Sequence, residues 1–166
     1  MISSKKLRDI NIKIFQIQNI FSLIIIIFTF LLDRVSKIKI LENFNENIFY
    51  VNEYINFNLI WNTGIGFGLF NWDNSIFYNS ITTIIGLVIA ILIYFIFNSK
   101  IFDKISLSLI AGGALGNFYD RISFKAVPDF IDIHYEGFHW FTFNCADIFI
   151  TTGIIFYLFG DLLKQK

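Results

Sequence analysis

From Ile76 to Phe97 the chain runs for 22 residues without a charge. The hydrocarbon core of a bilayer takes roughly 20 such residues as one helix, because only a helix satisfies every backbone N–H and C=O within the segment. Three further stretches fit the same reading: Ile14–Leu32, Ile105–Ile122 and Ile148–Leu163. The first is almost pure hydrocarbon from Ile20 onward, and the third is short and rich in small residues. The fourth is entered directly from Asp147 and interrupted late by Asp161. Charged residues make up only 16% of the chain and hydrophobic ones 55%, where a soluble domain carries about 25% charged. The formal net charge is zero, which gives a nucleic-acid partner no electrostatic support. The single cysteine, Cys145, excludes an intramolecular disulfide. The expected fold is integral membrane and mainly α: residues 1–166 as one membrane domain with four transmembrane helices, spans 14–32, 76–97, 105–122 and 148–163.

Lys5, Lys6, Arg8 and Lys13 precede the first span, as they would in a signal peptide. Leu31, Leu32, Asp33 and Arg34 follow it in place of a small-residue cleavage site, so a retained helix is expected. Basic residues then set the orientation. The N-terminus, the Asn98–Lys104 connection and the C-terminus share Lys5, Lys6, Arg8, Lys13, Lys100, Lys104, Lys164 and Lys166 in short segments. The opposite side carries Arg34, Lys37, Lys39, Arg121 and Lys125 across two longer loops. By the positive-inside rule both termini are cytoplasmic and the longer loops lie on the outer face.

The first outer segment, residues 33–75, is long enough to need structure of its own. Between Tyr50 and Asn62 the pattern has period two. Val51, Ile55, Phe57, Leu59 and Trp61 fall on one face, and Asn52, Tyr54, Asn56, Asn58 and Asn62 on the other. That predicts a half-buried strand within a small β-sheet on the outer membrane face. Asn62–Gly68, NTGIGFG, follows; its glycines, Gly64 first, let the backbone turn sharply or approach a ligand closely. In the third span Ala111, Gly112, Gly113, Ala114 and Gly116 suit close helix packing. Asn117 and Arg121 share a helix face just beyond, and Asp120–Arg121 reads equally well as an interfacial ion pair capping the span.

Two aspartates stand apart. Asp129 lies in the loop joining the third and fourth spans, and Asp147 at the N-terminus of the last. Ionisable groups at a bilayer boundary are costly and mark functional sites. Two carboxylates brought together in a poorly solvated cleft share one proton. Such a pair can hydrolyse an amide: the ionised member draws a proton from water while the protonated member polarises the carbonyl. No metal, cofactor or nucleophilic side chain is needed. Asn62, Asn117 and Asn144 are placed to orient the carboxylates or a substrate backbone.

Asp33–Lys37 (DRVSK), NTGIGFG, GGALGNFYDR (Gly112–Arg121), VPDF (Val127–Phe130) and FNCAD (Phe143–Asp147) resemble, in order and context, the bacterial lipoprotein signal peptidases, or signal peptidase II. The resemblance covers about Asp33 to Ile150. It implies an aspartic endopeptidase of the bacterial cytoplasmic (inner) membrane, multi-pass, with its active site at the outer face. Its substrates would be prolipoproteins, cut just before a diacylglyceryl-modified cysteine, and its surroundings membrane lipids; a monomer is the default. The family's catalytic pair matches Asp129 and Asp147. Asn62, Gly64, Asn117, Arg121 and Asn144 match positions that line and support the site. Asp33 and Lys37 match positions of structural or substrate-facing role. Two departures stand out: Lys125 where the family usually has glycine, and Phe141 where it often has proline. A positive φ at Lys125 would cost about 1 kcal/mol or more.

Other chemistries fit less well. Asp132, His134, Glu136 and His139 include zinc-binding residue types, but the histidines are five apart and no HExxH helix is present. Cys145 reads better as a small filler than as a thiol nucleophile. A small four-helix proton- or cation-coupled transporter is the alternative from another class. It would place its charges near mid-bilayer, whereas here they gather at one face.

Overall fold

The computed structural model describes residues 16–43, 48–64 and 75–164, leaving aside the side chains of 75–77 and 161–164. The basic N-terminal residues, the start of the first span, Ile65–Gly68, the Asp161 side chain and Lys166 lie outside that range. Within it the order is α1 (Ile17–Asn43), β1 (Phe49–Tyr50), β2 (Ile55–Asn62), α2 (Ser75–Asn98), α3 (Ile101–Phe124), β3 (Val127–Tyr135), β4 (Phe138–Phe143) and α4 (Cys145–Lys164). The fold is mainly helical with one small antiparallel sheet, ordered β1-β2-β3-β4. By length and composition α1 and α2, the latter from Tyr78, are long and apolar enough to cross a membrane, and α4 holds a shorter apolar run.

Helix α1 is mostly polar inside and apolar outside. Along α1 the buried positions are Asn19, Ser22, Thr29, Asp33, Lys37 and Ile40, which recur at helical spacing on one face. Ile24, Phe28, Leu31 and Val35 remain about half exposed on the other. That distribution suits a hydrocarbon solvent, against which apolar side chains need no cover. It also corrects the expected boundary: α1 does not end at Leu32 but runs on to Asn43. Asp33 and Lys37 extend the buried stripe, and a hydropathy window reads their charges as a loop.

Helix α3 is central and packs against the other three. Its small residues permit that approach. A Cβ on Gly112 would run into Thr29 and the Ile26 carbonyl of α1, and one on Gly113 into the Ala146 carbonyl of α4. One on Gly116 would run into the Asp33 carboxylate. The Lys125 C-cap of α3 has φ 59 and ψ 17, so the left-handed turn is kept despite the Cβ that glycine would avoid.

The sheet draws half its strands from residues 127–143, not from 33–75 alone, and Asp129 sits on β3 rather than in a loop. β3 and β4 are joined through Glu136 and Gly137, with φ of 49 and 81, the pair of positive values a tight type I′ hairpin requires. The alternation read in β2 is also corrected. Its register against β3 shifts between Phe57 and Ile60, and such an irregularity moves later side chains to the other face. Beyond the shift Asn62 is therefore buried (6% exposed) while Trp61 is 45% exposed and meets Phe124 of α3 edge-on; Asn56, before the shift, is buried on the face it shares with its partner Asp132.

Candidate active site

Helix α4 begins with a reciprocal cap. Asn144 precedes its first residue; the Asp147 N–H donates to Asn144 Oδ1 (3.2 Å) and the Asn144 N–H donates to Asp147 Oδ2 (3.1 Å). This capping box consumes two N–H groups a helix start otherwise leaves unbonded. A third, on Ala146, donates to Asp33 Oδ1 of α1 at 3.0 Å. The sequence NCAD thus folds into a helix start whose third residue is an aspartate held to its own backbone.

The same Asn144 reaches the other aspartate, its Nδ2 donating to Asp129 Oδ1 at 2.6 Å. Strand pairing brings Asn62, at the end of β2, alongside β3, where its Nδ2 donates to Asp129 Oδ2 at 2.9 Å. From α3, Asn117 Nδ2 donates to Asp147 Oδ1 at 2.9 Å. Each of the four carboxylate oxygens therefore receives an N–H, and Asn144 serves both aspartates. Asp129 is 3% exposed. Burial, with a contribution from the nearby Asp147 charge, pushes its carboxyl up from 3.8 to about 6, against the opposing bonds from Asn62 and Asn144.

Behind this pair lies a charge cluster with no solvent access to its acids. Lys37 Nζ donates to Asp33 Oδ2 (2.9 Å), Asp120 Oδ2 (2.7 Å) and Asn117 Oδ1 (2.8 Å). Arg34 spans the same two acids, at 3.0 Å from Asp33 and 2.6 Å from Asp120. Two anions and two cations balance, as burial demands. Asp120 thus pairs with Arg34 and Lys37 rather than with Arg121. Arg121 donates instead to the Gly64 carbonyl and lies over the Tyr78 ring, 5.6 Å from its centroid. The Tyr78 hydroxyl closes back on the Arg121 carbonyl at 3.0 Å. Gly64 is held at its other end too, its N–H donating to Asn62 Oδ1 at 2.9 Å.

Of the residues expected from sequence, Asn62, Asn117, Arg121, Asp129, Asn144 and Asp147 line one cavity of about 410 Å³. Its remaining wall is apolar, from Ile85, Val88, Ile89 and Leu92 of α2 to Ile150 and Ile154 of α4. Asp33, Lys37 and Gly64 stand behind the lining and hold it. Sequence reasoning missed Arg34 and Tyr78, and of its two readings of Asp120–Arg121 the ion pair between them is not formed. Asp120 falls five residues before the left-handed C-cap of α3, and nothing in its local sequence names a partner 83 residues away. The Asp132–His139 group is not a loop: it sits on the β3–β4 hairpin, with His139 Nδ1 at 2.6 Å from Asp132 Oδ2. Among the described residues no three His, Cys, Asp or Glu side chains converge as metal ligands. Cys145 is the first residue of α4 and partly buried.

The family model for signal peptidase (SPase) II matches residues 25–163 of the chain. A lipoprotein signal peptidase of Pelagibacter ubique (strain HTCC1062) is 46% identical over 159 residues, covering 94% of this chain and 93% of its own. One of Anaplasma phagocytophilum (strain HZ) is 38% identical over 154 residues, covering 90% and 96%. A solved bacterial membrane enzyme superposes with a TM-score of 0.72 at 32% identity, covering 87% of this chain and 88% of that one.

Proposed function

The chain belongs to the signal peptidase II family, which removes signal peptides from prolipoproteins, and we propose that its cut is made by Asp129 and Asp147 holding one proton between them. The observation that carries this reading is the convergence of both carboxyl groups on one cavity, each oxygen aimed by an amide N–H and one asparagine serving both.

Two acids facing one poorly hydrated space resist joint ionisation, so the pair titrates as a unit and keeps a proton into the range where a lone aspartate has lost it. A water between them gives its proton to the ionised member as it attacks the scissile carbonyl. The protonated member donates to the carbonyl oxygen as charge develops there. When the C–N bond breaks, the proton taken from water passes to the leaving amine, a hydroxyl of the tetrahedral diol returns its proton to the other carboxylate as the new carboxyl group forms, and the dyad again holds one proton. Asn62, Asn117 and Asn144 fix the carboxyl planes, so little reorganisation remains at the moment of reaction. Asp33 and Lys37 hold the start of α4 and Asn117. Arg121 and Gly64 tie the end of β2 to α3. The chemistry requires no metal or cofactor.

In this reading residues 1–166 form one membrane domain in the bacterial inner membrane, crossed by α1, α2, α3 and α4, acting as a monomer among membrane lipids. The dyad and the sheet lie at the helix ends opposite Lys100, Lys104 and Lys164, and the positive-inside rule assigns that end to the outer face. The substrate is a prolipoprotein with a diacylglyceryl-modified cysteine after the cleaved bond. Family membership replaces the transporter reading. The test is cleavage of a lipid-modified precursor by purified protein in detergent, read by mass. A single cut before the modified cysteine, unaffected by strong chelators, is expected; no cut, or loss of activity on chelation, refutes it.

A further inference from the structure

Tyr78 stands in the first turn of α2 and is 8% exposed. Its hydroxyl is used differently from its neighbours. Thr82 and Thr83, one turn on, each donate to a carbonyl of their own helix, the usual way a hydroxyl is satisfied in an apolar setting. Tyr78 instead donates across to the Arg121 carbonyl of α3 at 3.0 Å. That carbonyl falls in the last turn of α3, where a helix leaves its C=O groups without intrahelical partners. The bond keeps the ring under the guanidinium of the same residue, 5.6 Å from carbon to centroid, within range of a cation–π attraction.

Arg121 depends on that contact. It is 4% exposed, yet among the described residues it pairs with no carboxylate, since Asp120 is taken by Arg34 and Lys37. Its Nη1 is buried without a hydrogen-bond partner. The guanidinium is held by the Tyr78 ring and by the Gly64 carbonyl, to which Nη2 donates. From Gly64 the connection runs on to the dyad. The Gly64 N–H donates to Asn62 Oδ1 at 2.9 Å, and Asn62 Nδ2 donates to Asp129 Oδ2 at 2.9 Å. With its oxygen committed to Gly64, Asn62 can offer the carboxyl group only N–H.

We propose that Tyr78 is a positioning residue for the cleavage reaction: its ring holds the Arg121 guanidinium on the Gly64 carbonyl, and Gly64 in turn keeps the Asn62 amide facing Asp129. The inference rests on the dyad reading above. A planar guanidinium suits this place because it stacks on a ring and donates from its edge at the same time. Without the ring, a buried cation with an unused N–H is free to turn away from Gly64. Asn62 then flips, and its oxygen opposes the ionised form of Asp129 in place of supporting it.

Profiles of kcat/KM against pH test this in Tyr78→Leu, Tyr78→Phe and Thr82→Val, with purified enzyme in detergent. The substrate is a precursor peptide whose cysteine carries a dipalmitoylglyceryl group. A midpoint is read on active molecules alone, so it does not depend on how much of a variant folds. Burial, with the Asp147 charge behind it, raises the Asp129 carboxyl to about 6, and the Asn62 bond is the largest influence opposing that rise, ahead of Asn144 and Lys37. Tyr78→Leu removes ring and hydroxyl together. It should lower kcat about tenfold, the worth of a partly desolvated cation–π contact, and move the alkaline midpoint upward from about 6. Tyr78→Phe keeps the ring and should recover most of both changes. Thr82→Val, which only loosens the same stretch of α2, should show neither. The proposal is overturned if Tyr78→Leu keeps the wild-type midpoint, if Tyr78→Phe is shifted as far as Tyr78→Leu, or if Thr82→Val reproduces the shift. A wild type with no alkaline limb overturns the dyad reading itself, and this proposal with it.

Discussion

Lys37 donates to the side-chain oxygen of Asn117 at 2.8 Å, and that bond decides which end of the amide faces Asp147. With its oxygen committed to Lys37, Asn117 can present only N–H to the carboxylate, which it does at 2.9 Å. A lysine that never touches the cavity thereby orients a group that lines it.

Lys37→Met leaves Asp33 and Asp120 sharing Arg34 alone and frees Asn117 to flip. Breaking a buried pair in this way costs about 3–5 kcal/mol, which thermal unfolding in detergent will register. Lys37→Met combined with Asp120→Asn restores charge balance and should recover much of that stability. Activity should stay low in the double variant, because the orientation of Asn117 is not restored.

Asp129 titrates near 6 in the folded protein against an ordinary 3.8. Between those values the folded protein holds a proton that the unfolded chain has released. Its contribution to stability is therefore fully present below about 3.8 and is lost as the pH rises through about 6. Unfolding measured from pH 4 to 7 should show that downward slope in wild type and a shallower one in Asp129→Asn. For the free enzyme, kcat/KM should fall on the alkaline side with a midpoint near the same value of about 6.

At Lys125 the backbone is left-handed, with φ 59, and the side chain is exposed. Lys125→Gly removes the Cβ penalty and should stabilise the protein by about 1 kcal/mol, with kcat unchanged.

Gly116 faces the Asp33 carboxylate closely enough that a Cβ would displace it. Gly116→Ala should weaken the Asp33 bonds to Lys37 and to the Ala146 N–H together, costing about 1–3 kcal/mol. Activity should fall in parallel, since the start of α4 carries Asp147.

What the sequence disclosed follows from physical range. The long apolar runs declare helices because hydropathy is local, and Asp129 and Asp147 declare themselves because charge beside such runs is costly. The small residues of α3 were likewise legible as a packing face. The extension of α1 through Asn43 was not, because the cluster of Asp33, Arg34 and Lys37 reaches charge balance only with Asp120 on another helix. The β3–β4 strands were overlooked although Glu136–Gly137 is a tight-turn signal between apolar runs. The burial of Asn62 came from a register shift that no periodicity reports.

Cleavage of a lipid-modified precursor under single-turnover conditions, by wild type and by Asp129→Asn, Asp147→Asn and the double variant, each checked for folding, addresses the dyad directly. Each single variant should lose at least about 10³-fold in rate, and the double variant little more, because the two carboxyl groups act as one unit. A single variant within about tenfold of wild type, or losses that multiply in the double variant, would contradict the account.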